Sequence, residues 1–219
     1  MFRLCLTVTQ AKSPRKGQKM PFQENIENWE IKMKELVNNA IVFATEKHSG
    51  QVRKFSGIPY ILHPLEVASI IASMTTDENT IAAGILHDTV EDCDVEPEEI
   101  REKFGSRVFA LVCSETEDKI SNRPAADTWV ERKQDSLLTL QFTKDISVKT
   151  MWLADKLSNI RSFYGEYLKN GDDMWLQLNQ KDKKKQEWYY RTIAEYLSDL
   201  SKEAAYEEYC ELVDKIFCE

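Results

Sequence analysis

Four ionisable side chains follow an apolar turn in the segment Ile81–Asp92, IAAGILHDTVED. His87 and Asp88 are adjacent, and Glu91 and Asp92 come one helical turn later. Neighbouring side chains on a helix point about 100° apart, so both His87 and Asp88 can reach one ion at the helix edge. Imidazole and carboxylate groups are ligands for divalent transition metals, and carboxylates one turn away are typical acid–base groups. The segment therefore predicts a metal centre with catalytic acids beside it.

Two further positions offer ligands of the same types. His63 stands directly before Pro64, and because proline is favoured in a first helical turn, His63 is expected at the beginning of a helix. Asp155 lies with Asn159 and Ser162 at i, i+4 and i+7 on an otherwise apolar helix. A polar stripe of this kind is expected to line a pocket.

Taken singly, each of these residues has an ordinary explanation. A histidine beside a proline is more often a loop or capping residue, and a helical aspartate is more often a salt-bridge partner. The combination changes the interpretation, because it gives a set of two histidines and two aspartates: His63, His87, Asp88 and Asp155. Such a set leaves coordination positions open for water and a phosphate oxygen, and Glu91 or Asp92 would then orient that water or carry its proton.

The elements that must hold these residues are predicted to be helices. Apolar periodicity predicts them over Ile26–Lys47, His63–Met74, the central segment capped by Thr76 or Asp77, Pro97–Lys103 and the stretch after Gly105, Trp129–Phe142, Asp145 to about Leu168, and two more towards the end of the chain. Polar loops are expected at His48–Pro64 and at 119–128. The fold class predicted is all-α, a single-domain bundle of about nine helices.

Composition limits the classes of function. The chain has 219 residues, 42% of them hydrophobic, with a net charge of −8, which counts against nucleic-acid binding but leaves room for a basic pocket for a small anion. No apolar run is long enough to span a membrane. The five cysteines show no CxxC spacing and are expected to be reduced thiols, which favours a cytoplasmic protein.

Two parts of the chain are expected to differ in role. Residues 1–22 carry several basic residues and no acid before position 20, which suggests a disordered leader or an upstream start, with Met20 as the alternative start. Residues 23–219 form the predicted domain, with C-terminal helices at about 182–217 packing on it. The oligomeric state is left open.

Three motifs carry a family resemblance. In order along roughly residues 26–200 they are HSGQVRKFSGIPYILHPLEVA, ILHDTVED and LADKLSNIRS. Together they resemble the HD-type hydrolase domain of RelA/SpoT homologues, most of all the stand-alone small alarmone hydrolases such as the metazoan SpoT homologues. The resemblance implies an all-α HD fold, a bound Mn²⁺ (or another divalent transition metal), and removal of the 3′-pyrophosphate from guanosine 3′,5′-bis(diphosphate), ppGpp, or its pentaphosphate relative.

The same resemblance implies roles for individual residues. The implied metal ligands are His63, His87, Asp88 and Asp155. The implied catalytic acids are Glu91 and Asp92. The implied contacts to a small-molecule nucleotide substrate are Arg53, Lys54, Asn159 and Ser162. His48 belongs to the first motif and is expected to support the site without contacting the metal.

Two departures from the family pattern keep alternatives open. Trp152 stands where many relatives have lysine, which predicts the loss of one cation near the pocket rim, and residues 119–133 match the family only loosely. A phosphohydrolase for another nucleotide bearing a 2′- or 3′-phosphate is therefore one alternative. A non-catalytic nucleotide sensor is the other, although a sensor would not need the intact Glu91 and Asp92.

Overall fold

The computed structural model describes residues 35–116, 123–124 and 126–218, and this part of the chain is helical. The helices are α1 (described over 35–47), α2 (Leu62–Met74), α3 (Glu78–Leu86), α4 (Thr89–Asp92), α5 (Pro97–Cys113), α6 (Trp129–Phe142), α7 (Ile146–Asn170), α8 (Lys183–Tyr196) and α9 (Ala204–Phe217), with short 3₁₀ helices at Gly171–Gln177 and Ser198–Leu200. An isolated antiparallel bridge joins Val52 to Pro59. The predicted all-α class and the approximate helix number are confirmed for the described residues.

Most predicted boundaries agree with the structure within two residues. α2 begins one residue before His63, and α6 has its predicted bounds. Asp77 caps α3 by accepting hydrogen bonds from the N–H groups of Asn79 and Thr80. α5 carries a non-helical break at Gly105, where φ is 88°. The predicted beginning of the first helix, residues 1–22 and half of the loop 119–128 lie outside the described residues.

The central helix is not continuous, contrary to the prediction. α3 ends at Leu86, and α4 begins again at Thr89 after a turn. Two side chains take carbonyl groups that a continuous helix would pair with its own N–H groups: His87 Nδ1 lies 2.8 Å from the oxygen of Gly84, and Thr89 Oγ1 donates to the oxygen of Leu86 at 2.7 Å. This competition between side chain and backbone ends the regular helix where the predicted ligands lie.

α7 is the helix around which the site is built. It packs against α2, α3 and α9, and its predicted apolar stripe is buried, with Leu153, Leu157 and Ile160 fully inaccessible. α2 and α3 approach closely at Gly84, where a Cβ atom would lie 2.3 Å from the Cδ1 atom of Ile71. A larger residue at this position would push α2 and α3 apart, and with them the histidines that each carries.

The last two helices also contribute to the core. Ile193 on α8 and Tyr209 and Ile216 on α9 are fully buried, and the Tyr209 hydroxyl donates to the backbone oxygen of Tyr190 at 2.8 Å. α9 packs along both α7 and α8. Among the described residues, no helix combines the length and the apolar character that crossing a bilayer requires.

Candidate metal centre

Three parts of the fold bring the predicted ligands together. His63 comes from the first turn of α2, His87 and Asp88 from the turn between α3 and α4, and Asp155 from the middle of α7. Ligand atoms of His63, His87 and Asp155 lie within 4.8 Å of one another, and all three residues are buried. Residues 92 positions apart in sequence, His63 and Asp155, thus share one small volume. Their role as ligands stays a prediction.

The distances within this cluster are short enough for one ion. Asp155 Oδ1 lies 3.1 Å from His63 Nε2 and 3.7 Å from His87 Nε2. Asp88 Oδ2 lies 3.0 Å from His87 Nε2 and 3.6 Å from His63 Nε2. Each carboxylate oxygen is therefore close to both imidazole nitrogens, which is the spacing of ligands around a common centre.

Hydrogen bonding identifies the nitrogen that His87 offers to a metal. A backbone carbonyl only accepts hydrogen bonds, so His87 Nδ1 donates its proton to Gly84 and Nε2 faces the cluster. This Nε2 is buried and makes no hydrogen bond of acceptable geometry, although two carboxylate oxygens are nearby. An orphaned buried nitrogen between two carboxylates fits a divalent cation, because the ion supplies the missing partner for all of them.

The charges of the cluster also suit a cation. Burial favours the protonated form of both aspartates, yet His87 lowers the pKa of Asp88, and the Lys156 ammonium together with the two histidines lowers that of Asp155. Burial lowers the pKa of His63, whereas for His87 the attraction of Asp88 and Asp155 outweighs burial and raises it. Neighbouring cationic groups thus favour the ionised form of both carboxylates, and a bound divalent cation would favour it further.

Three side chains orient these carboxylates, and of the three the sequence had indicated only Asn159, as a substrate contact. The Tyr60 hydroxyl donates to Asp88 Oδ2 at 2.7 Å, and burial with the nearby Asp88 charge raises the pKa of Tyr60. The Lys156 ammonium contacts Asp155 Oδ2, while the Asn159 amide donates to Asp155 Oδ1 at 2.7 Å. The only signal for Tyr60 and Lys156 in the sequence is that each stands within a motif, next to residues that were noted.

The cluster lies in a cavity of about 330 Å³ that also contains the predicted acids. Glu91 and Asp92 line this cavity together with Lys54, Asn159 and Lys156. The cavity is also lined by Arg132, Lys133, Gln180 and Gln186. Negative groups of the cluster and positive groups from loop and α6 therefore face the same space, an arrangement that suits a phosphorylated ligand bridged by a metal.

The predicted substrate contacts are divided between this cavity and a second one of about 440 Å³ beside it. Lys54 and Asn159 line both cavities, whereas Arg53 and Ser162 line only the second. Arg53 reaches Asn159, with Nη2 donating to Oδ1 at 3.2 Å. The two cavities thus share Lys54 and Asn159, but Arg53 and Ser162 do not line the cavity that contains the cluster.

The first motif forms a tight loop that carries Arg53 and Lys54. The Arg53 N–H donates to the oxygen of Ile58 at 2.8 Å, and Gly57 turns the chain with φ of 66°. His48 is buried beneath this loop, with Nδ1 lying 2.7 Å from Gln51 Oε1. Gln51 in turn donates to the backbone oxygen of Asp92 at 2.8 Å. His48 therefore supports the loop and lies outside the cluster, as expected.

Two residues, Trp152 and Glu115, have surroundings that the sequence did not indicate. The loss of a cation near the pocket rim was expected at Trp152, but the ring is buried in the core, 2% exposed, one turn before Asp155 and Lys156 on α7. The Lys156 ammonium lies over this ring, 5.0 Å from its centroid, in a cation–π contact. Glu115, which the sequence did not indicate, lines the cavity with both oxygens buried and unpartnered. Burial raises the pKa of Glu115 to about 7.

Comparison with known proteins agrees with this architecture. A family model described as the HD domain matches residues 40–181, more than half of the chain. The chain is 39% identical over 129 residues to the guanosine-3′,5′-bis(diphosphate) 3′-pyrophosphohydrolase of Vibrio cholerae, and 37% identical over 130 residues to a GTP pyrophosphokinase of Myxococcus xanthus. These matches cover 58% of this chain but only 18% and 17% of the two relatives. The chain therefore spans less than a fifth of their length.

Two solved structures share the fold over most of their length. Lmo0812 from Listeria monocytogenes superposes with a TM-score of 0.63 and 30% identity, covering 72% of this chain and 99% of that protein. A metazoan orthologue of SpoT, described as hydrolysing ppGpp, superposes with a TM-score of 0.62 and 26% identity, covering 82% and 94%. The resemblance to RelA/SpoT hydrolase domains that the three motifs predicted is confirmed.

Proposed function

The chain belongs to the HD domain family, and we propose that it is a metal-dependent phosphohydrolase that removes the 3′-pyrophosphate from ppGpp. The observation that supports this most directly is the cluster of His63, His87, Asp88 and Asp155 in a cavity lined by acids and cations. The relatives with similar sequence and fold include proteins described as acting on ppGpp. We also propose Mn²⁺ as the metal and the cytoplasm as the location.

His63, His87, Asp88 and Asp155 would hold the ion, with Tyr60 and Asn159 orienting the two carboxylates. A divalent ion bound there supplies Lewis-acid chemistry, since it lowers the pKa of water and polarises a phosphoryl oxygen. The protein itself contributes the fixed ligand positions and the exclusion of bulk water from the buried end of the cavity.

Glu91 and Asp92 would handle the proton of the attacking water. Both residues line the cavity that contains the cluster, and α4 begins directly after Asp88, so their positions are tied to that of a ligand. A carboxylate in this place accepts the proton as water attacks the phosphorus attached to the 3′-oxygen. The bond from that phosphorus to the 3′-oxygen breaks, and the products are GDP and pyrophosphate.

The cations would bind the charged ends of the substrate. Lys54 lines both cavities, and Arg132 and Lys133 face the first from α6. Because ppGpp carries phosphate groups on both its 3′ and 5′ sides, a cavity lined both by the proposed metal ligands and by cations suits its charge. Asn159 and Ser162 would contact the nucleoside from the polar stripe of α7.

The proposal is tested by product analysis with the full chain, ppGpp and Mn²⁺. We expect GDP and pyrophosphate, abolished by a chelator and restored by added Mn²⁺. If the protein bound metal but formed no product from ppGpp, the proposed substrate would be wrong, whereas the proposed metal centre would stand. Nucleotides with a 2′- or 3′-monophosphate would then be assayed in the same way. Tight binding of ppGpp without turnover would support the sensor alternative.

A further inference from the structure

A line of hydrogen bonds leads from the predicted ligand His63 away from the cavity to the last helix. His63 Nδ1 lies 2.8 Å from Ser158 Oγ, and Ser158 Oγ donates to Glu66 Oε2 at 2.8 Å. Arg161 Nη1 donates to Glu66 Oε1 at 2.9 Å. Arg161 also donates to both oxygens of Glu208, from Nε at 2.7 Å and from Nη2 at 2.6 Å. We name these residues the relay.

Three helices contribute to the relay. His63 and Glu66 are three residues apart on α2, and Ser158 and Arg161 are three residues apart on α7, so facing turns of the two helices interlock. Glu208 comes from α9, close to the end of the chain. His63 and Ser158 are buried, whereas the side chains of Glu66, Arg161 and Glu208 are 39%, 36% and 43% exposed.

The donors and acceptors of the relay fix the direction of every hydrogen bond. A carboxylate only accepts, so the single hydroxyl proton of Ser158 goes to Glu66. The Ser158 oxygen must then accept from His63, which places the proton of His63 on Nδ1. His63 Nε2 is left to face Asp155 at 3.1 Å. Ser158 thus holds the proton of His63 on Nδ1, just as the carbonyl of Gly84 holds the proton of His87 on Nδ1.

We propose that Ser158, Glu66, Arg161 and Glu208 are positioning residues that hold His63 in its metal-binding tautomer, so that α9 contributes to the metal affinity of the site. Partners of this kind, hydrogen-bonded to a metal-binding histidine, fix its ring orientation and raise its basicity. The inference rests on the proposed metal centre, but its claim about the tautomer is independent of both metal and substrate. Neither the polar stripe of Asp155, Asn159 and Ser162 nor the acidic pattern of α9 indicated these residues.

The first measurement is the tautomer of His63 in metal-free protein, from the ring nitrogen chemical shifts. The chain has only 3 histidines, so assignment is tractable. We expect the Nδ1–H tautomer in the unmodified chain and its loss in Ser158→Ala. A packing role for Ser158 would not change the tautomer. The same tautomer in Ser158→Ala as in the unmodified chain would overturn the proposal.

The second measurement is Mn²⁺ affinity by competition with a fluorescent chelator. We expect Ser158→Ala to weaken binding by about 10- to 100-fold, the range typical of such partners. Glu208→Gln should weaken it by about two- to fivefold, since an exposed ion pair contributes less. The matched control is Asp214→Asn, which removes another α9 carboxylate, one that accepts from Arg191 Nη1 on α8 at 2.8 Å and is not part of the relay.

Equal Mn²⁺ affinities for Glu208→Gln and Asp214→Asn would overturn the contribution of α9. Because Glu208 is half-exposed, its variant is expected to fold, and thermal unfolding of the metal-free proteins verifies this. Failure of the proposed function is recognised separately. A chain that binds Mn²⁺ but does not hydrolyse ppGpp refutes the substrate alone, and the measurements on the relay still decide the inference.

Discussion

Two groups of side chains that line the cavity differ in burial and in the elements that carry them. At the floor, defined by His63, His87, Asp88 and Asp155, the side chains come from α2, the α3–α4 turn and α7, and three of the four are buried. At the rim, defined by Lys54, Arg132 and Lys133, the side chains come from a loop and from α6. Lys54 is exposed, and the other two are partly exposed.

The difference lies in how far the side chains of each group are exposed to solvent. Every floor residue has a hydrogen-bond partner that fixes its orientation, such as Tyr60 for Asp88 or Gly84 for His87. Rim cations are long side chains near solvent, whose attraction for phosphate is screened by water and salt. We infer that the floor determines which reaction takes place, whereas the rim adjusts how tightly different phosphorylated ligands bind. Substitutions at the floor should therefore abolish metal binding or turnover, whereas substitutions at the rim should weaken substrate binding by degrees.

The largest effect is expected from Asp155→Ala. Asp155 Oδ1 is close to both histidines, so its loss removes charge and a ligand from the centre of the floor. Metal affinity should fall by more than about 100-fold, beyond the range for a partner that only orients a ligand, and hydrolysis should fall with it. Elemental analysis after dialysis measures the metal content. Asp173→Ala, at an exposed aspartate of the 3₁₀ helix after α7, is the matched control.

A variant that kept full metal content would break the comparison, because the floor would then tolerate the loss of its most central carboxylate.

The next largest effect is expected from Glu91→Gln. This change keeps the shape of the side chain and the four predicted ligands but removes the group that accepts a proton. Turnover should fall by about 10²- to 10⁴-fold, the usual contribution of general acid–base catalysis, with metal content unchanged. Glu102→Gln on the exposed side of α5 is the control. Full activity in Glu91→Gln would assign the proton transfer to Asp92.

Glu115 allows a test of how much an unpaired negative charge beside the floor destabilises the folded protein. Burial raises its pKa in the folded protein from 4.5 to about 7, so the folded state binds its proton more tightly than the unfolded state. The free energy of unfolding of the metal-free protein should therefore fall as the pH rises through this interval, by at most about 3 kcal/mol from this group.

Glu115→Gln should lack this decrease, because a neutral amide does not ionise. Chemical denaturation of both proteins with chelator present, at about pH 5 and about pH 8, measures the difference. We expect the variant to lose less stability between the two pH values than the unmodified chain. Equal losses would mean that Glu115 ionises at its ordinary pKa, and that the cavity near the floor is better solvated than its burial indicates.

Sequence patterns predicted the helices well because the apolar periodicity that defines them is also what the core buries. Leu153, Leu157 and Ile160 lie on α7 as the spacing indicated. The break between α3 and α4 was missed, since it depends on His87 and Thr89 taking backbone carbonyls, which periodicity does not record. The burial of Trp152 was missed for a related reason: the comparison with relatives indicates a lost cation but not how the ring that replaces it packs.

The candidate site, too, was predicted in part and missed in part. The spacing of His87, Asp88, Glu91 and Asp92 indicated one chemical unit, and the structure brings these residues to one cavity. Tyr60, Glu115 and Ser158 were not indicated, because their importance comes from contacts between distant segments. Ser158 and Glu66, for example, are joined across 92 positions of sequence.

The smallest effect is expected from Lys54→Ala, and it sharpens the comparison most directly. An exposed cation contributes up to about 1 kcal/mol to binding a charged partner, so KM should rise by up to about fivefold with kcat nearly unchanged. The difference should shrink as salt is added, because salt screens exposed charges. Lys144→Ala, at an exposed lysine that lines neither cavity, is the control. A large fall in kcat would instead mean that Lys54 reaches the reacting phosphate, and that the loop carrying it belongs with the floor.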